Sequence, residues 1–205
     1  MIRPLAIAGL ALLATALALA AFGPRLAQEP PTALSDGAGP APTGPFVLQR
    51  CDGSARPFSE QDLRGRVHLV YFGFTTCPDV CPTELAWMTR VLRALGEDAA
   101  AVAPLFITVD PERDDAERLR AYAACFDERI LPLRGDAAQT RAAAEAFGAI
   151  YRKQTPVSKQ PGFYLVDHTL STFVVDREGR IVQRLNSRDT PPRDAALLIR
   201  RLIHR

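Results

Sequence analysis

The chain has 205 residues, of which 47% are hydrophobic and 23% charged, and a formal net charge of +2. Both signs are scattered, and no basic run or basic–aromatic interleaving marks a nucleic-acid surface, so no nucleic-acid partner is expected. The roughly 160 residues after the N-terminal part suit one domain with a sizeable core.

From Leu5 to Phe22 the chain is almost wholly apolar, preceded only by Arg3. About eighteen residues just span a bilayer and exceed a usual signal h-region. Ala18-Leu19-Ala20 resembles a signal-peptidase site. Residues 1–24 are expected to be a transmembrane anchor, with a signal segment as the alternative. Either sends the rest out of the cytoplasm, since no later apolar span follows. Residues 25–45, rich in Pro, Gly, Ala and Thr and without a hydrophobic period, read as a linker. Residues 46–205 form the expected domain.

Phe46 to Cys51 reads as a strand entering a tight turn at Asp52-Gly53. Val67 to Phe74 is continuous, β-branched and aromatic, as a buried central strand is. Alternation puts His68 with Val70 and Phe72, as a packed or edge histidine. Cys77-Pro78-Asp79-Val80-Cys81-Pro82 follows, then a helix from Thr83 to about Ala94 with Leu85, Met88 and Leu92 at helical spacing. Pro82 fits only the first turn of that helix, because further in its ring clashes with the preceding turn. Both cysteines therefore sit at the helix's amino end, where the dipole and free N–H groups favour a thiolate. Two such sulfurs either exchange with disulfides or hold a soft metal.

Val102 to Val109 is a second apolar strand, ending in Asp110-Pro111-Glu112-Arg113-Asp114. A helix is expected from Asp114 to about Phe126, with Asp110 and Asp114 as its capping acids. A strand at Ile130–Leu133, a helix at Asp136–Phe147 and a strand at Ile150–Lys153 follow, then a proline-bearing loop from Thr155 to Gly162. Phe163 to Val166 leads into Asp167-His168-Thr169. Ser171–Val175 and Arg180–Leu185 make a hairpin about Asp176–Gly179. Pro191 to His204 closes as a helix with Leu198, Ile199, Leu202 and Ile203 inward. Strands alternating with helices, then a hairpin and a final helix, argue for an α/β fold of thioredoxin type, a central mixed sheet flanked by helices.

Four cysteines are present. Cys77 and Cys81 are near enough to be oxidised together. Cys51 and Cys125 read as small packed hydrophobes, with a disulfide between them as the other reading. In thioredoxin-like folds the loop entering the strand beside the cysteine-bearing one faces the active cysteines. Here that loop carries His168, which there reaches Cys77 and Cys81 and completes a three-ligand site. Two thiolates and an imidazole suit Cu(I), and Zn²⁺ accepts the same set. Three residues separate the cysteines where general disulfide oxidoreductases have two. Only two methionines are present, so a metal depends on the thiolates.

Three stretches resemble the Sco/SenC family of copper-binding assembly factors for cytochrome c oxidase. They are YFGFTTCPDVCPTEL (Tyr71 to Leu85), TVDPERD (Thr108 to Asp114) and YLVDHT (Tyr164 to Thr169) before STFVVDREGRIV. The resemblance covers about Phe46 to Arg205, with an N-terminal membrane segment and linker also matching. It implies copper, as Cu(I) or Cu(II), held by Cys77, Cys81 and His168, with Asp167 orienting His168. It implies a single-pass inner-membrane protein facing the periplasm or an equivalent extracytoplasmic space. Its role would be delivery of copper to the CuA centre of cytochrome c oxidase subunit II, or exchange with another copper assembly protein. The alternative is a thiol–disulfide reductase that keeps the oxidase cysteines reduced, with Cys77 and Cys81 as its redox pair. Some family members are linked instead to copper sensing or redox defence.

Overall fold

Two apolar runs make the centre of the domain. β3 (Val67–Gly73) is buried at every position and β4 (Val102–Thr108) at all but Ala103. They pair in parallel from Val67↔Val102 to Gly73↔Thr108. A parallel pair is covered by helices on both faces, which is why both strands read as unbroken hydrophobic runs. This is a computed structural model, in which residues 45–54, 56–154 and 164–205 are described. The expected anchor (1–24), all but the last residue of the expected linker, and the expected loop from Thr155 to Gly162 lie outside them. Among the described residues no helix is long and apolar enough to cross a membrane.

The main sheet has seven strands in the order β2-β1-β5-β4-β3-β8-β9. β5 (Leu131–Arg134) runs parallel to β4, and β8 (Thr172–Val175) antiparallel to β3. β1 (Val47–Arg50) pairs antiparallel with β5 and with β2 (Pro57–Ser59). β9 (Ile181–Leu185) closes the far edge. β2, three residues long, was not anticipated; such a segment is too short to show a period. β6 (Tyr151–Lys153) and β7 (Val166–His168) make a separate two-stranded ribbon.

Among the described residues four α-helices flank the sheet: α1 (Val80–Leu95), α2 (Ala116–Ala124), α3 (Ala137–Phe147) and α4 (Pro192–Ile203). In α1 the expected inward residues Leu85, Met88 and Leu92 are all buried. Trp87 of α1, also buried, donates its indole N–H to the Thr190 carbonyl at 2.7 Å, tying α1 to the start of α4. α3 opens on a capping box, Asp136 with Gln139. In α4, Ile199 and Leu202 point inward as expected, but Ala195 and Ala196 take the other buried places while Leu198 and Ile203 lie half-exposed at the rim. The small alanines let α4 approach closely. The mixed sheet with helices on its faces agrees with the expected thioredoxin-type architecture.

Candidate metal centre

The cysteine loop leaves β3 through Gly73. A Cβ at Gly73 would lie 2.7 Å from Cys81 Sγ and 2.9 Å from the Phe106 ring, so only glycine leaves room for the sulfur. Beyond it, the Cys77 N–H donates to the Phe74 carbonyl, closing a turn. The fully buried Asp114 holds this turn. It accepts from the Thr75 N–H at 3.0 Å, from Thr75 Oγ1 at 2.6 Å and from Thr108 Oγ1 at 2.6 Å. A carboxylate from after β4 thus ties the cysteine loop to the end of β4. α1 then begins at Val80, which puts Cys81 and Pro82 in its first turn, where an N–H has no intrahelical partner for proline to lose.

His168 ends β7, paired with Tyr151 of β6. The strand leading to it is anchored by a second fully buried aspartate. Asp110 accepts from the Tyr164 hydroxyl and from Arg113 Nε, each at 2.5 Å. Arg113 also donates to the Tyr164 carbonyl and lies over the Tyr164 ring. Asp110 and Asp114 therefore do not cap α2, contrary to expectation. Asp115 does, accepting from the Arg118 N–H, because the other two carboxylates point into the protein.

The fold brings the three expected residues together. The Cys77 and Cys81 sulfurs and a His168 nitrogen all lie within 4.8 Å of one another. His168 Nδ1 lies 3.0 Å from the Thr169 carbonyl, which only accepts, so Nδ1 carries the proton. Nε2 faces the two sulfurs, hydrogen-bonded to Cys81 Sγ at 3.5 Å. Tyr71 and Phe74 present ring edges to the imidazole, and the Tyr71 hydroxyl lies 3.9 Å from Cys81 Sγ. Asp167 does not orient the ring. Its side chain is exposed and engaged by Gln154 at 2.6 Å and Arg152 at 3.5 Å. Strand alternation turns it away from its neighbour, and the Thr169 carbonyl takes the orienting part.

The two sulfurs differ in charge. The Cys77 thiol is pushed down to about 3, first by hydrogen bonding to Cys81 and, against the cost of burial, by His168 and the Asp79 and Cys81 N–H groups. Cys81 is pushed up by burial and by the hydrogen bond and charge of Cys77. One thiolate and one thiol result at neutral pH. A soft cation binding both displaces the second proton.

The other cysteines stand apart, both as free thiols. Cys51 is a buried small hydrophobe, as expected, its thiol pushed up to about 11 by burial. Cys125 is exposed, contrary to expectation, and its Sγ donates to the Ala121 carbonyl at 3.3 Å. A Cys51→Ala, Cys125→Ala double variant is expected to bind copper with unchanged stoichiometry in a reduced-protein titration. A large loss with circular dichroism intact would place ligands elsewhere. A sharper effect is expected at Gly73. Gly73→Ala drives a methyl into Cys81 Sγ and the Phe106 ring and should cost about 1–3 kcal/mol. It should also displace Cys81, read as faster alkylation of that thiol in the folded protein; unchanged stability and thiol reactivity would mean that the sulfur has room to move.

Sequence reasoning did not find Gly73, Thr75, Asp114, Tyr71 or Phe74 as parts of the site. The signal was present, since all lie inside the YFGFTTC and TVDPERD stretches, but nothing in their spacing says that the two segments touch.

A family model described as SCO1/SenC matches residues 36–204. A SCO2-like protein of Rickettsia prowazekii is 35% identical over 140 residues, covering 68% of this chain and 67% of its own length. The chain is also similar to the copper-bound structure of Bradyrhizobium japonicum ScoI, at 36% identity and a TM-score of 0.70, over 78% of this chain and 98% of that one. Copper-bound yeast Sco1 is 31% identical with a TM-score of 0.71, over 81% and 89% of the two chains.

Proposed function

This chain belongs to the SCO1/SenC family, and from that membership we propose that it binds copper as cargo and delivers it in the assembly of cytochrome c oxidase. The observation that carries the reading is the meeting of two sulfurs and an imidazole nitrogen within 4.8 Å. That donor set suits Cu(I), and two of the similar solved structures hold copper. Cys77, Cys81 and His168 are the ligands. Cys77, already a thiolate, takes the ion first, and Cys81 follows on losing its proton. His168, its Nδ1–H held by the Thr169 carbonyl, offers Nε2 as the third donor. Release runs by stepwise ligand exchange to incoming thiols, with the CuA site of oxidase subunit II as the acceptor the family resemblance implies. The segment from Leu5 to Phe22 serves as a single-pass inner-membrane tether, with residues 25–45 as linker and the domain in the periplasm.

One observation favours a second reading. A Cys77 thiolate beside a protonated Cys81 is the starting state for attack on a disulfide, so the pair can also reduce a target's cysteines. The same residues serve both functions, but only copper binding needs His168. Copper titration of the reduced protein with and without His168, beside oxidase assembly in cells, separates them.

A further inference from the structure

At the end of the domain away from the cysteines lies a cavity lined by arginines. β3 carries His68 near its start and Gly73 at its end, about 17 Å apart at ~3.3 Å per residue, and the metal centre lies beyond Gly73. Around His68 is a cavity of about 400 Å³ lined by Arg50, Arg56, Arg66 and Arg129, with Phe58 and His68 at its back. The four arginines come from four separate segments: the end of β1, the turn before β2, the start of β3 and the turn before β5. His68 is nearly fully buried, packs against the Phe58 ring edge, and donates its Nδ1–H to the Arg66 carbonyl.

The acids nearby are already engaged. Asp62, the carboxylate among the lining residues, accepts from the Ser59 N–H, Ser59 Oγ and Arg56. Asp52 and Asp127 hold Arg50 and Arg129 from two residues away, in exposed pairs. Such local surface pairs contribute little and are readily shared with a stronger acceptor. Arg66 has no carboxylate partner among the described residues; it donates to the Ala100 and Val102 carbonyls at 2.9 and 2.8 Å. Four guanidiniums against three carboxylates leave one positive charge uncompensated around a concave, partly apolar space. Guanidinium forks match phosphate oxygens in pairs, and low-dielectric walls strengthen that attraction. A cation finds no free carboxylate here.

We propose that this cavity binds a phosphate-bearing anion, with Arg66 and Arg129 as its principal donors and Arg50 and Arg56 at the rim. The phosphate belongs either to a free phosphorylated compound or to an anionic lipid headgroup; the chemistry that recognises it is the same. The site is independent of the metal centre.

Calorimetric titration of the reduced, copper-free full chain in nonionic detergent tests this, with two probes: inorganic pyrophosphate, and a water-soluble short-chain phosphatidic acid set against its phosphatidylcholine counterpart. Saturable one-site binding is expected for at least one phosphate probe. It should weaken steeply with added salt and fall at least about tenfold in an Arg66→Gln, Arg129→Gln double variant. The variant should keep its thermal midpoint and its copper stoichiometry. Tighter pyrophosphate binding would assign the site to a free compound; tighter phosphatidic acid binding, with none for phosphatidylcholine, would assign it to a headgroup. Absence of saturable binding by both phosphate probes would overturn the proposal. So would binding that the folded double variant retains in full. If the double variant unfolds, the single Arg66→Gln variant, whose side chain is exposed, carries the same comparison.

Discussion

Replacing His168 by alanine is expected to strip the chain of copper while leaving its thiol chemistry in place. His168 Nε2 lies 3.5 Å from Cys81 Sγ and is the only non-sulfur donor in the cluster. Without it, copper would be held by two sulfurs alone and open on one side to competing thiols. Loss of even an outer partner of a metal ligand costs about 10–100-fold in affinity, so loss of the ligand itself should exceed about 100-fold against a competing chelator. Both sulfurs remain free to exchange, and reduction of a model disulfide should stay within about one order of magnitude of the parent rate. Some slowing follows because hydrogen bonding to His168 helps to hold the Cys77 thiol down. In cells, His168→Ala should fail to support oxidase assembly at low copper. Normal assembly would replace delivery with the reductase reading. Full copper affinity in the purified variant would remove His168 from the ligand set.

A second large effect concerns pH and the other end of β3. Burial pushes the His68 imidazole from 6.5 down to about 4, partly opposed by its bond to the Arg66 carbonyl. His68 is 2% exposed, so solvent screens this shift little. Between those two values the unfolded chain binds a proton that the folded chain does not. The sign follows: the stabilisation is fully present above about pH 6.5 and is lost as pH falls toward 4. The shift corresponds to about 3 kcal/mol between neutral pH and pH 4. Carboxylates titrate in the same range, so the measurement is a difference. The stability of the parent protein relative to His68→Gln, from denaturant unfolding, should fall by about that amount between pH 7.5 and pH 4. A flat difference would mean that His68 charges within the fold without cost.

Local segments were well read from the chain. The apolar run of β3, the start of α1 at the cysteines and the hairpin of β8 and β9 rest on interactions between near neighbours: a strand's alternation, a proline's missing N–H, a turn residue. Each is written within a few consecutive residues. Boundaries moved by a residue or more, as with α1, which starts at Val80 rather than Thr83. The motif around Cys77 and Cys81, with His168 ahead of a strand beside β3, was also enough to name all three residues of the cluster.

Contacts between distant segments were not readable in this way. Asp114 and Thr75 are 39 positions apart, and both aspartates of the TVDPERD stretch looked like helix caps until the fold turned them inward to anchor the cysteine loop and the strand bearing His168. Asp167 looked like the partner of its neighbour His168, but in a strand adjacent side chains face opposite ways, and a backbone carbonyl took its place. Cys125 had the composition of a core residue and an exposed position. The four arginines around His68 come from separate segments of unremarkable charge and share a cavity only after the sheet forms. Periodicity shows which face of a strand or helix is apolar. Which element comes to cover that face, and so what each polar side chain meets there, depends on strand order and register, which bring together residues that carry no mark of one another in the sequence.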